Sequence, residues 1–440
     1  MNAPVNVVDF DVAQHVTSSW RHRLAAILGS VRFQLLAALI IGIGTPLWIR
    51  QQFEYVSDDN FSYETTLIGC AVAVLFGYLI YRKVTSLPGT SALLNQLPGF
   101  VVSYLAVLSL FVALRLDFSR KQLVLSFLLV TAFFFVLTYV LSRVRRPVYG
   151  LVSGGRTSVL TRIGYVDWVR FSTPAEAERA PHIPLVADFH YAGLTAEWER
   201  YLAEAAISGR RVFNAKQLKE SIEGQVAIDH LSENSFGHLA PDSIYAPAKF
   251  YVDFALAFVA AVLLSPLLLL VALLIRIESR GPALFRQPRM GHRGKPFTVY
   301  KFRSMRVQAE AERDVTQDMT QSDDARITRI GKIIRKTRID ELPQIFNILR
   351  GEMSWIGPRP ETIALSSWYE RQLPFYRYRH IVRPGITGWA QIKQGHVTSV
   401  DDVREKLEYD FYYVRNFSVW LDVLIVMQTI RVMITGHGAK

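Results

Sequence analysis

The sequence predicts a membrane protein in three parts: an N-terminal four-helix transmembrane unit, a small cytoplasmic α/β (Rossmann-like) module, and a C-terminal α/β domain carrying a re-entrant membrane helix. Three observations lead there. Half of the 440 residues are hydrophobic and the mean hydropathy is +0.18, high for a water-soluble chain. The apolar residues gather in runs near the ~20 residues that a helix needs to cross a ~30 Å hydrocarbon core. Lys and Arg flank these runs unevenly, and that asymmetry orients membrane segments.

Four runs fill the first part, at about 33–49, 65–81, 99–116 and 121–144. Arg21, Arg23 and Arg32 precede the first, Arg82 and Lys83 follow the second, and Arg143, Arg145 and Arg146 follow the fourth. The loop after the first run holds Glu54, Asp58, Asp59 and Glu64 and no Lys or Arg. Both ends of the unit, residues 1–146, are therefore expected in the cytoplasm, although Arg120 and Lys121 sit in the third loop. The N-terminus shows no short apolar core before a small-residue cleavage site, so no cleavable signal peptide is expected. The lone cysteine, Cys70, rules out a disulfide framework within one chain.

Residues 147–247 are expected to form the α/β module, with strands at 148–153, 184–187 and 211–214 and a helix at 197–206. Gly154-Gly155 follows the first strand, but no G-x-G-x-x-G accompanies it. A structural or regulatory role is preferred there over nucleotide binding.

The third part, residues 248–440, opens with a fifth apolar run from Tyr251 to Ile275. Ser265-Pro266 lies in its middle, where proline removes a helix hydrogen bond. Lys249 flanks one end, and Arg276, Arg280, Arg286, Arg289, Arg293 and Lys295 follow the other. Two basic flanks argue that both ends are cytoplasmic, so that the segment, about 250–275, breaks at Ser265-Pro266 and returns. Ser366–Arg379 mixes aromatics with arginines, as an interfacial helix does. Val419–Ile434 is apolar but interrupted, suited to the interface or to the domain core.

The densest chemistry is Thr337-Arg338-Ile339-Asp340-Glu341-Leu342-Pro343-Gln344. Proline is tolerated in a first helical turn, which puts Asp340 at or beside a helix N-terminus. The helix dipole and Arg338 then favour an ionised carboxylate, able to attack phosphorus, with Glu341 placed to hold a cation. An isolated Asp-Glu pair is more often a plain helix start. Here it is accompanied by Lys301 and Arg303 after an apparent strand, by Arg359 in Gly357-Pro358-Arg359-Pro360, and by Arg383 and Gln391 in a second rigid turn. Arginine in a rigid turn suits phosphate. The net charge of +12 likewise points to anionic partners or an acidic leaflet.

These motifs, in this order, resemble the bacterial sugar transferase family in its long form, the monotopic polyprenyl-phosphate phosphoglycosyl transferases. The resemblance covers Ala248 to Met433 and rests on Ser265-Pro266, Gly281 to Gln287, Arg289-Met290-Gly291, Lys301 to Met305 and Asp324 to Thr328, with Asp340 to Gln344, Ser354 to Pro360 and Arg383 to Gln391 completing it. It implies an inner-membrane enzyme with a cytoplasmic catalytic domain. Such an enzyme moves a hexose-1-phosphate from a UDP-sugar to undecaprenyl phosphate and releases UMP, as a first membrane step of exopolysaccharide, capsule or O-antigen synthesis. It further implies Asp340 as nucleophile, Glu341 with Asp340 at a Mg²⁺ ion, and Lys301, Arg303, Arg338, Arg359, Arg383 and Gln391 as substrate or phosphate ligands. Glucose or galactose is the expected sugar. Membrane lipids are expected partners, nucleic acid is not, and a homo-oligomer is compatible. A glycosyltransferase releasing UDP, a non-catalytic scaffold and a transporter compete with this reading. The intact Asp-Glu pair and the near absence of charge inside the four spans disfavour them.

Overall fold

A computed structural model describes residues 7–9, 27–48, 60–85, 92–144, 148–164, 166–228, 245–306, 326–373, 375–394 and 400–435. The flanking charges Arg21, Arg23, Glu54, Asp58, Asp59, Arg145 and Arg146, and Asp324-Ala325, lie outside them. The chain divides into two compact units, Met1–Gly224 and Gln225–Lys440.

In the first unit, α1 (Val31–Leu39) runs through a π-helical turn, Ile40–Gly44, and is followed by α2 (Asn60–Thr85), α3 (Ala92–Ala113) and α4 (Arg120–Val144). All four expected runs are helical. Val31–Trp48, Ser62–Lys83 and Arg120–Leu141 are long and apolar enough to cross a membrane, whereas the apolar part of α3, Gly99–Ala113, is shorter. Glycines allow close approach: a Cβ on Gly69 would lie 2.2 Å from the Phe111 ring, and one on Gly42 2.6 Å from Val130. Tyr81 and Thr138, and Tyr104 and Ser126, share hydroxyl hydrogen bonds of 3.1 and 2.7 Å. Such pairs satisfy polar groups where water is absent.

The same unit holds a parallel sheet of β1 (Val7–Asp9), β2 (Val148–Val152), β3 (Asp167–Phe171), β4 (Leu185–Ala187) and β5 (Val212–Asn214), in the order β1-β3-β2-β4-β5. The three expected strands and the helix, α5 (Ala196–Ile207), are present. Two strands were not foreseen, β3 and the edge strand β1, whose residues 7–9 the sequence reading had grouped with the membrane unit. Alternation sends Val152, Leu185 and Ala187 to one face, against Trp198 and Leu202 of α5, and Leu151 and Val186 to the other, against Leu218 of α6 (Ala215–Glu223). Covering both faces is what an all-parallel sheet requires. The last helix of the module, α6, is capped by the left-handed Gly224, where the first compact unit also ends.

The second unit is built along α7 (Tyr245–Glu278), 34 residues and about 51 Å long at ~1.5 Å per residue. Ser265-Pro266 lies inside this helix, and no non-helical residue separates its two halves. Proline cannot donate to the carbonyl four residues back. That carbonyl, Val262 O, instead accepts from Ser265 Oγ at 2.8 Å, which removes the local reason to stop. The first half of α7 packs Ala257 against Val299, Ile345, Ile348 and Met353. The second half packs Leu268, Val271 and Ile275 against Phe302 and Ile334. These partners come from the antiparallel pair β6 (Leu284–Met290) and β7 (Pro296–Phe302), and from α8 (Arg329–Lys336) and α9 (Ile345–Leu349). The parallel pair β8 (Ser354–Ile356) and β9 (Gly385–Thr387) and the helices α10 (Val400–Arg415) and α11 (Val419–Thr435) complete the unit.

Both ends of α7 are tied to this unit by polar contacts. At the start, Lys249 Nζ lies 2.7 Å from Asp422 of α11 and 3.5 Å from Asp253, and Ser354 Oγ donates to Asp253 at 2.5 Å. At the end, Glu278 accepts from the backbone N–H groups of Arg329 and Ile330, capping α8. Tyr251, Leu263, Leu269 and Ile277, on both sides of Pro266, are each more than two-thirds exposed.

Two expectations for this unit change. Ser366–Arg379 is not one interfacial helix: helix Ile363–Gln372 is followed by a 3-10 turn that buries Tyr376 and Arg379, because Asp410 offers the arginine an internal partner. Of the two options for the apolar 419–434 stretch, α11 takes the core side with Leu421, Leu424 and Ile425. Lys249→Met would leave Asp422 and Asp253 without their cation. Stranding a buried charge of this kind should lower stability by ~3–5 kcal/mol, read as a depressed thermal midpoint in detergent. An unchanged midpoint would show that the cluster is solvated in solution.

Candidate active site

Asp340 and Glu341 sit in a 3-10 turn, Ile339–Gln344, that leads directly into α9. Arg338 enters the turn with φ 58°, the left-handed region, and Pro343 lies inside it. In a 3-10 turn residues three apart share a side. Ile339 and Leu342 both pack towards α7, which leaves the intervening carboxylates to face the opposite way.

Glu341 is 8% exposed. Its Oε1 accepts from Lys301 Nζ at 2.9 Å and from Arg359 Nη2 at 2.8 Å. Lys301 belongs to β7, where its neighbour Phe302 points into the core beside α7. Arg359 projects from the turn after β8, between Pro358 and Pro360, each of which fixes φ. Burial opposes ionisation of Glu341, but Arg359 and Lys301 outweigh it and hold the carboxyl far below the usual carboxylate range. Burial draws the Lys301 ammonium down, and Glu341 only partly restores it.

Asp340 behaves differently from expectation. Burial pushes its carboxyl up, and the adjacent Glu341 charge pushes it further. Lys301, Arg338 and Arg335 offset this only in part. The predicted dipole effect is outweighed because the turn is buried and a second, fully ionised carboxylate adjoins it. Asp340 Oδ1 is a buried acceptor with no hydrogen-bond donor among the described residues. An orphaned anionic oxygen beside a second carboxylate suits a small, hard divalent cation, which binds through one or two carboxylates and otherwise keeps water and phosphate oxygens. No group of three or more His, Cys, Asp or Glu forms a fuller metal cage among the described residues.

The structure thus gathers Lys301, Glu341 and Arg359 into one contact, with Asp340 and Arg338 in the same electrostatic neighbourhood. It gives the other three predicted residues different partners. Arg303 is buried, its guanidinium donating to Ser279 O at 2.7 Å and Arg280 O at 3.0 Å, where it closes the end of α7. Arg383 donates to Gly351 O at 3.1 Å and stacks 4.6 Å from the Phe250 ring centroid. Gln391 Nε2 donates to Ile386 O at 3.2 Å. Ser265 and Pro266 lie within α7. Sequence reasoning missed the residues that carry the Arg359 turn. Arg289 Nη1 donates to Pro360 O at 2.7 Å, Lys406 pairs with Glu361 at 2.6 Å, and Arg379 Nη2 donates to Arg359 O at 3.0 Å. The signal available was the number of charged residues in segments otherwise dense with aromatics.

Residues 244–436 match the bacterial sugar transferase family. The UDP-N-acetylgalactosamine-undecaprenyl-phosphate N-acetylgalactosaminephosphotransferase of Aeromonas hydrophila is 42% identical over 375 residues, 85% of this chain and 88% of that protein. The UDP-glucose:undecaprenyl-phosphate glucose-1-phosphate transferase of Escherichia coli (strain K12) is 44% identical over 180 residues, 40% of this chain and 38% of that protein. The exopolysaccharide production protein PSS of Rhizobium leguminosarum bv. phaseoli is 45% identical over 176 residues, 39% of this chain and 87% of that protein.

The Arg359 turn has its own electrostatic signature. Burial opposes ionisation of Glu361, yet Lys406 and Arg379 hold its carboxyl down to about 2, against an ordinary 4.5. The stability this contributes is complete above pH 4.5 and is lost as pH falls through about 2. Lys406→Met should return the carboxyl towards its ordinary value, so acid unfolding should begin at higher pH. Superimposable acid limbs for wild type and variant would remove Lys406 as the cause.

Proposed function

Because this chain belongs to the bacterial sugar transferase family, we propose that it transfers a sugar-1-phosphate from a UDP-sugar to undecaprenyl phosphate, releasing UMP, in bacterial polysaccharide synthesis. The observation that carries the reading is the Glu341 carboxylate gripped by Lys301 and Arg359 beside an Asp340 that has an unpaired buried oxygen. A binding scaffold has no use for a carboxyl kept free next to two aimed cations.

The reaction proceeds in two displacements. An Asp340 carboxylate oxygen attacks the β-phosphorus of the UDP-sugar. The bond from that phosphorus to the bridging oxygen breaks, and its electron pair leaves with UMP. A phosphate oxygen of undecaprenyl phosphate then attacks the same phosphorus and returns the Asp340 carboxylate. Lys301 and Arg359 stand where the charge on the transferring phosphoryl group is stabilised, and Arg338 borders the nucleophile. Arg303, Arg383 and Gln391 each donate to a backbone carbonyl and hold the surrounding chain. Mg²⁺, held through Glu341 with Asp340 beside it, would supply neutralisation of phosphate charge and favour the ionised form of Asp340.

The membrane helix α7 is read as entering and leaving on one face. Lys249 at its start and Glu278 at its end are both bound to the same folded unit, while apolar side chains on both sides of Pro266 stay exposed for lipid. With both ends bound to one unit, the helix is read as bending at Pro266 and returning to the face it entered. On this reading the site faces the cytoplasm at the inner membrane, where a soluble UDP-sugar meets a lipid phosphate. As the relative matched along most of its length is named for N-acetylgalactosamine, that sugar joins glucose and galactose as a candidate donor.

Purified protein with Mg²⁺ and undecaprenyl phosphate should release UMP from one of UDP-N-acetylgalactosamine, UDP-glucose or UDP-galactose. UDP release would instead mean glycosyl transfer without phosphate and sink the proposal. Asp340→Asn should abolish UMP formation with no loss of thermal stability, since it replaces an Oδ1 that accepts no hydrogen bond among the described residues with an amide of the same shape. Normal turnover by a folded Asp340→Asn protein would remove the nucleophile assignment. EDTA should stop the wild-type reaction and excess Mg²⁺ should restore it.

A further inference from the structure

Arg359 touches the dyad, yet nothing about its own turn explains why its guanidinium should stay there. Its neighbours Pro358 and Pro360 fix φ, and a residue before proline has a restricted ψ. The direction of the Arg359 side chain therefore depends on how the whole turn is held. The deepest of its supports is a buried ion pair outside the site. Arg379 and Asp410 each expose 2% of their side chains. Arg379 Nε and Nη2 donate to Asp410 Oδ2 at 3.0 and 2.8 Å, and Nη1 donates to Tyr376 Oη at 2.7 Å. The remaining direction of the fork goes to the active-site turn: Nη2 donates to Arg359 O at 3.0 Å. Asp410 stands one helical turn after Lys406 on α10, and Lys406 pairs with Glu361 of the same turn. One face of α10 thus reaches the turn twice.

A buried ion pair is poor evidence for stability by itself, because desolvation offsets much of the attraction. The planar guanidinium, with five donors in a fixed fork, does something a lysine or an apolar pair cannot: it joins Asp410, Tyr376 and the Arg359 carbonyl in one rigid geometry. We infer that Arg379, locked by Asp410, is a positioning residue that holds the Arg359 backbone so that the Arg359 guanidinium meets Glu341 and the transferring phosphate. The inference rests on the phosphoglycosyl-transfer reading above. Arg379 acts only through Arg359 and touches no reacting atom.

The consequence is a coupling between the two arginines. Arg379→Lys keeps a cation opposite Asp410 but gives up the fork. Misplacing a group by about 1 Å can cost on the order of a hundredfold in rate, so kcat should fall by about tenfold to a hundredfold. KM for the UDP-sugar should change much less, since the displaced group acts at the phosphoryl centre. The full chain in detergent, with Mg²⁺ and undecaprenyl phosphate, is assayed for UMP as wild type, Arg379→Lys, Arg359→Lys and the double variant, with thermal midpoints recorded for each. If Arg379 works through Arg359, its substitution should add little once Arg359 is already Lys. Tyr376→Phe, which removes one brace of Arg379 and leaves the ion pair, provides a milder second arm. It should show a smaller loss in the same non-additive pattern, and it keeps the test decisive if Arg379→Lys does not fold. Independent, multiplying losses in an active wild-type background would overturn the inference alone. A wild type that makes no UMP from any donor would overturn the functional reading and this inference with it.

Discussion

Glu341 holds a full negative charge at a site only 8% exposed, and a carboxylate can do that only if cations are brought to it. The two cations arrive from strands and turns 40 residues before it and 18 after it, and both land on the same oxygen. This single requirement accounts for much of the surrounding architecture. β7 must run beside the Ile339–Gln344 turn to deliver Lys301, and the turn after β8 must fold back to deliver Arg359. The same charge sets the chemistry next door. Burial raises the Asp340 carboxyl and the Glu341 charge beside it raises it further, so the two adjacent acids shift in opposite directions.

The scaffold that meets the requirement is an apolar helix. α7 supplies the hydrophobic wall for β7, α8 and α9, so the element that belongs to the membrane is also the core of the folded unit. Its two ends are tied down by different devices: a buried Lys–Asp cluster at the start, and a carboxylate cap together with the Arg303 contacts at the end. Ser265 keeps the helix continuous by satisfying the carbonyl that Pro266 leaves without a donor. The dyad is packed against the second half of that helix through Ile339 and Leu342.

Much of this was legible without coordinates. Apolar runs are read reliably because length and composition suffice to identify them, and all four N-terminal runs and the long apolar stretch of α7 are helices. The Asp340-Glu341 pair, Lys301 and Arg359 could be picked out because their residue types match one chemistry and Pro343 marks a helix start. Arg303, Arg383 and Gln391 looked equivalent to them in the same reading. The difference is which way each side chain turns: Arg303 is within two residues of Lys301, yet it faces the Ser279 and Arg280 carbonyls. Strand β1 was missed because three residues carry no usable pattern until β3 lies beside them.

The sequence by itself determined the membrane character, the family and the adjacency of the two acids, Asp340 and Glu341. These follow from local properties: hydropathy over a span, and motifs whose residues are close in the chain. Only the tertiary structure decided which cations meet Glu341, that burial and Glu341 raise the Asp340 carboxyl, that α7 continues through Pro266, and that a buried Arg379–Asp410 pair braces the Arg359 turn. Each of these depends on burial and on contacts between residues far apart in the chain. Coulomb energies and hydrogen bonds are set by distance and desolvation in the folded state, and neither is encoded at any single position of the sequence.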